Sequence, residues 1–213
     1  MSDNIKKSKF LNALISFGMW IYNFFILQLF WVLHSLKGFI VFGVFPANAS
    51  VIRVMYRWFN EKGESFSIKE EFSQAYKAYF KRSNQIGYMM LLAFAIVYID
   101  LRVSNVFIQS IILHTLILFL GFLVLCVGLY TYTIMIRYNF SLKNTLKQSF
   151  FIALSVPLFT LSAVVGLIIV ITLMRNYLFL LFFFGIPLFF LPIVWFTYTG
   201  AIKAEEKRKE LQD

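Results

Sequence analysis

Charge is scarce in this chain. Charged residues make up 14% of its 213 residues, whereas soluble domains carry about 25%, and that shortage excludes a water-facing globular surface. Carboxylates are rarer still, ten in all. Asp3, Glu61, Glu64, Glu70, Glu71, Asp100, Glu205, Glu206, Glu210 and Asp213 all fall in ends or loops between apolar runs. A proton- or ion-coupled carrier places carboxylates inside its crossings, because a charge in hydrocarbon is costly and retained for a purpose. The sequence therefore speaks against proton coupling. A single cysteine, Cys126, excludes an internal disulfide and reads as packing within an apolar run. Two separated histidines, His34 and His114, do not supply a metal site with it. Phosphate-binding glycine loop, HExxH pair and serine elbow are all missing. The chain is read as a non-enzyme, with no catalytic residue, no cofactor and no metal.

What is abundant is apolar: 60% of residues are hydrophobic and 27 are phenylalanine. Crossing a hydrocarbon core of about 30 Å takes about 20 helical residues. Runs of that order predict crossings at 10–33, 84–101, 105–136, 149–174 and 177–202, the last two divided by Arg175-Asn176. With a broken stretch at 38–58 this makes six, so the expected fold is an all-α polytopic membrane helix bundle, 1–213 as one integral membrane domain. Lys6, Lys7 and Lys9 resemble the start of a secretory signal, but the run from Phe10 to Leu33 exceeds the usual apolar region of about 7 to 15 residues. It reads as a retained first helix.

The net charge of +10 gains meaning from its distribution. Drawn with the amino terminus inside, 17 of the 20 basic residues fall on the inner side, and only Lys37, Arg102 and Arg175 fall outside. Both termini are therefore expected in the cytoplasm. Nucleic acid is not an expected partner, since no basic stretch stands free of the membrane. The bilayer is, with a basic surface suited to anionic lipid.

The stretch GVFPANASVIRVMYRWF, residues 43 to 59, holds a proline, an asparagine and two arginines inside apolar chain. Proline suits a first helical turn, so a helix is expected to start at Pro46. From Pro46 to Phe59 it rises about 21 Å, too short to span alone. Residues 38 to 45 then form irregular backbone that neighbouring helices should cover. Gly43, Pro46, Ala47 and Asn48 define this helix-break motif. It reads either as a packed kink or as a substrate path of a small permease, as in transporters with broken helices.

Outside the apolar runs the longest stretch is SFSIKEEFSQAYKAYFKRS, residues 65 to 83. Ser67 with Glu70 forms a capping box, and Ile68, Phe72, Ala75, Tyr76, Tyr79 and Phe80 recur at helical spacing. An amphipathic cytoplasmic elbow helix over about 66–82, lying on the inner membrane surface, is expected. Phe72, Tyr76, Tyr79, Phe80, Lys77, Lys81 and Arg82 would either pack under the bundle or dock a cytoplasmic partner. Phe140-Ser141-Leu142-Lys143 echoes Phe66-Ser67-Ile68-Lys69 at an offset of 74 residues, from 66 to 140, suggesting parallel repeats. Tyr130, Tyr132 and Tyr138 read as an interfacial aromatic belt, and Pro157, Pro187 and Pro192 as kinks.

Gly43-Val44-Phe45-Pro46-Ala47, Arg57-Trp58, Lys81-Arg82-Ser83-Asn84 with Gly87, then Ser141-Leu142-Lys143, Ala153-Leu154 and Pro157, together resemble the YesL family of bacterial integral membrane proteins. Asn48 and Ser50 stand where threonine and alanine are expected, which leaves the helix start intact. The resemblance covers most of the chain and implies a multi-helix protein of the bacterial cytoplasmic membrane. It further implies association with carbohydrate ABC transport, with no established biochemical activity and no catalytic residues to carry over; together with the candidate docking helix it leads to an expected accessory or regulatory role with ABC transporter subunits as partners.

Overall fold

A computed structural model of the protein describes residues 2–60, 66–138 and 140–210; Glu61, Glu64 and Asp213 lie outside them. Seven α-helices account for nearly all of this: α1 (Ser2–Lys37), α2 (Val44–Asn60), α3 (Ile68–Val103), α4 (Ile111–Tyr138), α5 (Leu142–Ser155), α6 (Pro157–Asn176) and α7 (Leu178–Glu210). Five are long and apolar enough to cross a membrane, namely α1, α3, α4, α6 and α7. The protein is thus a polytopic helical membrane protein.

The exception among the long apolar runs is α2. Its 17 residues rise about 25 Å, and Arg53 and Arg57 interrupt it. It forms the middle of the bundle: Ala47, Ala49, Ser50, Val51, Ile52, Val54 and Met55 are all buried. Hydrocarbon tails are as apolar as leucine, so small side chains and hydrogen bonds, not water exclusion, hold such a helix among its neighbours. The helix begins at Val44, two residues before the expected Pro46, which sits in the first turn where its missing N–H costs nothing.

Three expectations about helix boundaries change. The elbow is no separate surface helix: it is the first half of α3, a 36-residue helix that runs on because no proline interrupts it. Its start is as read, with Ser67 Oγ accepting the Glu70 N–H at 3.4 Å. The fifth crossing does not merely kink at Pro157. Val156 leaves the helical region (φ −129°, ψ 61°) and Pro157 opens a new helix, as the restriction on residues preceding proline requires. Finally, α3 passes through a π-helical turn, Ser104–Ile108, and Gln109 in the left-handed region before α4 begins. Pro187 and Pro192 remain inside α7.

Helix α2 lies antiparallel to the first half of α3, with Phe45 against Gly87 and Arg57 over Phe66. Any side chain at position 87 would enter the Phe45 ring. The second half of α3 pairs with α4, where Gly121 faces Val97 and Gly128 faces Met90. Helix α7 meets α1 where the Gln28 side chain accepts the Ile186 N–H at 2.9 Å, and meets α2 where Phe59 lies 5.0 Å from Trp195. The belt reading of the tyrosines is corrected: Tyr130 is fully buried beside Thr160, 3.2 Å away, and the Tyr132 hydroxyl is buried too.

Candidate functional site

Polar side chains converge around the buried α2. Arg53 Nε donates to Glu71 Oε1 at 2.7 Å and Arg57 Nη1 to Glu71 Oε2 at 2.5 Å, so one carboxylate of α3 holds two arginines of α2. The Arg57 guanidinium also lies 4.5 Å from the centre of the Phe66 ring. A second node joins α2, α4 and α7. Arg137 Nη2 and Nε donate to the two oxygens of Glu205 at 2.8 and 3.2 Å, and Nη1 donates to the Tyr56 hydroxyl at 3.0 Å. Such a two-pronged arginine–carboxylate pair fixes geometry as well as charge. Tyr138 donates to the same carboxylate. Glu71, expected near the start of the elbow helix, and Glu205, expected in the carboxyl-terminal tail, both lie on helices and serve as arginine acceptors.

The helix-break residues are packed. Gly43 abuts the backbone of His34 and Ser35, with no room for a Cβ. The Pro46 carbonyl accepts the Ser50 hydroxyl at 2.8 Å, Ala47 is fully buried, and Asn48 Oδ1 accepts the Trp31 indole N–H at 2.7 Å. The turn before them, residues 38 to 43, differs from expectation. Its backbone is covered, but its side chains are not: Phe39, Ile40, Val41 and Phe42 are 55 to 86% exposed.

The elbow residues separate into two groups. Phe72 is buried against Phe30 and His34, at ring distances of 5.9 and 4.8 Å, which removes it from any docking surface. Tyr76 donates its hydroxyl to the His34 carbonyl at 3.0 Å, and Tyr79 is half-buried against the core. Phe80, Lys77 and Lys81 are exposed. Arg82 donates to Thr145 on α5 at 2.9 Å. Lys81 and Arg82, with Ala78, Gln85, Phe140, Ser141 and Leu142, line a crevice of about 340 Å³. These contacts also correct the drawing in which Lys37 falls outside and the elbow helix lies on the inner surface: His34, three residues before Lys37, touches Phe72 and Tyr76.

Sequence reasoning named Asn84 only within the Lys81–Asn84 run, without a role, and missed Tyr88. Asn84 Nδ2 donates to the Phe42 carbonyl at 3.0 Å, and the Tyr88 hydroxyl donates to the Val41 carbonyl at 2.7 Å. Their spacing of four on a helix that is turning apolar was the available signal. No group of three or more histidine, cysteine or carboxylate side chains capable of holding a metal occurs among the described residues.

Residues 24–101, which span α2, α3 and the turn capped by Asn84 and Tyr88, match a family described as a protein of unknown function, DUF624. The chain is 27% identical over 203 residues to the uncharacterized protein YesL of Bacillus subtilis (strain 168), covering 93% of this chain and 95% of that protein. These similarities support assigning the chain to the YesL family. Two further relatives from the same organism point the same way. Uncharacterized protein YteU is 29% identical over 155 residues, 71% of this chain and 68% of YteU. Uncharacterized protein YesV is 25% identical over 186 residues, 84% of this chain and 87% of YesV. No solved structure matches the chain. The YesL family match thus centres on α2 and its arginine-holding partner α3.

Proposed function

We propose that this protein is a non-catalytic accessory or regulatory component of the bacterial cytoplasmic membrane, associated with carbohydrate ABC transport and carrying both termini in the cytoplasm. One observation carries the reading: α3 is two-sided along its first half. Phe72 and Tyr76 are fixed against α1, while Lys77, Phe80 and Lys81 stand outside next to the crevice with α5. A rigid, cationic, partly aromatic face suits a soluble partner with an acidic surface, and ABC transporter subunits are the partner class. Glu71 and Glu205, both taken up by arginines, fit a structural role for the carboxylates better than a catalytic one.

The rival is a small permease with its path at Pro46. The packing of Pro46, Ala47 and Asn48 weighs against it. Copurification of the tagged full-length protein separates the two. A stable complex with ABC transporter subunits, lost on Lys77→Glu with Lys81→Glu, supports the accessory role. Solute flux through the purified protein in liposomes, without any partner, would replace it with the permease.

A further inference from the structure

The turn between α1 and α2 combines three properties seldom found together. Its backbone is irregular, with Phe39 and Ile40 in the left-handed region at φ 53° and 62°. Bulky residues there are genuine outliers that persist only when the surroundings impose them. The imposing groups are visible. Gly38 and Gly43 touch backbone to backbone. Ile40 N–H donates to the Ser35 carbonyl at 2.8 Å and Phe42 N–H to the Gly38 carbonyl at 3.1 Å. Asn84 and Tyr88 supply the Phe42 and Val41 carbonyls with donors. The polar groups of the turn are thus satisfied from within while its four side chains, Phe39 to Phe42, project outward. Irregular backbone is tolerated at membrane depth on that condition.

Depth follows from α3. The turn meets α3 at Asn84 and Tyr88, where the charged first half, with Lys69, Glu70, Glu71, Lys77, Lys81 and Arg82, gives way to the apolar second half. Val103, next to the turn into α4, lies fifteen residues past Tyr88, a rise of about 22 Å. His34, one turn before the tip, is against Phe72 and Tyr76 in the charged half. Nothing in α1 or α2 reaches along α3 toward Val103 beyond this level in the pairs described. Helix α7 meets α1 at Phe183 and Ile186 and α2 at Trp195 and Tyr198, so it touches both arms of the hairpin.

We infer that α1 and α2 form a re-entrant hairpin whose Phe39–Phe42 tip is seated among lipid acyl chains, entering the bilayer and returning to the same side without crossing it. The occupant of this exposed apolar surface is the hydrocarbon itself. Membrane crossing then rests on α3, α4, α6 and α7, and the even number that keeps both termini on one face is preserved.

The test uses the full-length protein in liposomes with Cys126→Ala as background and single cysteines at Ile40→Cys or Phe42→Cys, with Asn105→Cys marking the α3–α4 end. A membrane-impermeant maleimide should label Asn105→Cys from one face and leave both tip positions at under about a tenth of the labelling seen after detergent. A bimane attached at the tip should be quenched strongly by lipids brominated mid-chain. Labelling of Ile40→Cys from the face that labels Asn105→Cys would show a full crossing and end the inference, as would labelling from the opposite face, which would place the tip in water. Two tip positions guard against one variant failing to fold, and detergent labelling verifies each thiol.

Discussion

Helix α3 and the pair α5–α6 start and end at matching positions but differ in between. Adding the offset of 74 to the first residue of α3, Ile68, gives Leu142, the first residue of α5. Adding it to Val103 gives 177, one past the end of α6 at Asn176. Both begin after a serine in FS-(I/L)-K. Yet α3 is continuous, and its counterpart is broken at Val156–Pro157, opposite Arg82–Ser83. The two also share an arginine acceptor at equivalent positions: Glu71 takes Arg53 and Arg57, and Thr145 takes Arg82. A single imino acid therefore separates a rigid strut from a jointed one, and the acceptor chemistry decides how firmly each is tied to the helix that supplies the arginine, α2 for α3 and α3 for α5.

The comparison is broken most severely by Ser83→Pro, which copies the Pro157 break into α3. It removes the bond to Tyr79 and drives the ring into that carbonyl, costing about 3 kcal/mol or more. A thermal midpoint in detergent within 2 °C of wild type would show that α3 tolerates a joint. Next comes Glu71→Gln, which leaves two part-buried guanidinium groups short of their countercharge. A loss of about 2 to 3 kcal/mol is expected, read as a lowered midpoint with little dependence on salt. Strong salt dependence with a small loss would mark it as an ordinary surface pair. Thr145→Val, the matching change in α5, should cost only about 1 kcal/mol. If it equalled Glu71→Gln, the distinction between the two acceptors would fail. Smallest is Pro157→Ala, expected to change stability by less than about 1 kcal/mol, because Thr160 Oγ1 still bonds the Ala153 carbonyl across the joint at 2.9 Å. Hydrogen exchange at residues 156 to 160 would show whether the joint survives.

Two helix starts were legible because their signals are local: Ser67 with Glu70, and Pro46 in a first turn. The class of protein was legible from apolar length alone. The central position of α2 was not, since a side chain facing lipid and one facing another helix are equally apolar, and hydropathy cannot separate Val51 from Leu91. Nor was the continuity of α3, because the charge change near Asn84 resembles a helix boundary although no breaker stands there. The arginine nodes join residues 14, 18 and 68 positions apart, distances over which no sequence spacing carries information. The cover over residues 38 to 45 was anticipated for the whole segment, whereas only the peptide groups needed it.

Arg137 reaches the Tyr56 hydroxyl and the Glu205 carboxylate while lying 5.4 Å from the Tyr138 ring centre and 5.9 Å from that of Tyr198. One guanidinium thus rivets three helices that are remote in sequence. Sliding of α7 would strip it of several partners at once, so displacement of the carboxyl-terminal helix must be transmitted to α2 as a jump between discrete seatings and not as a gradual drift.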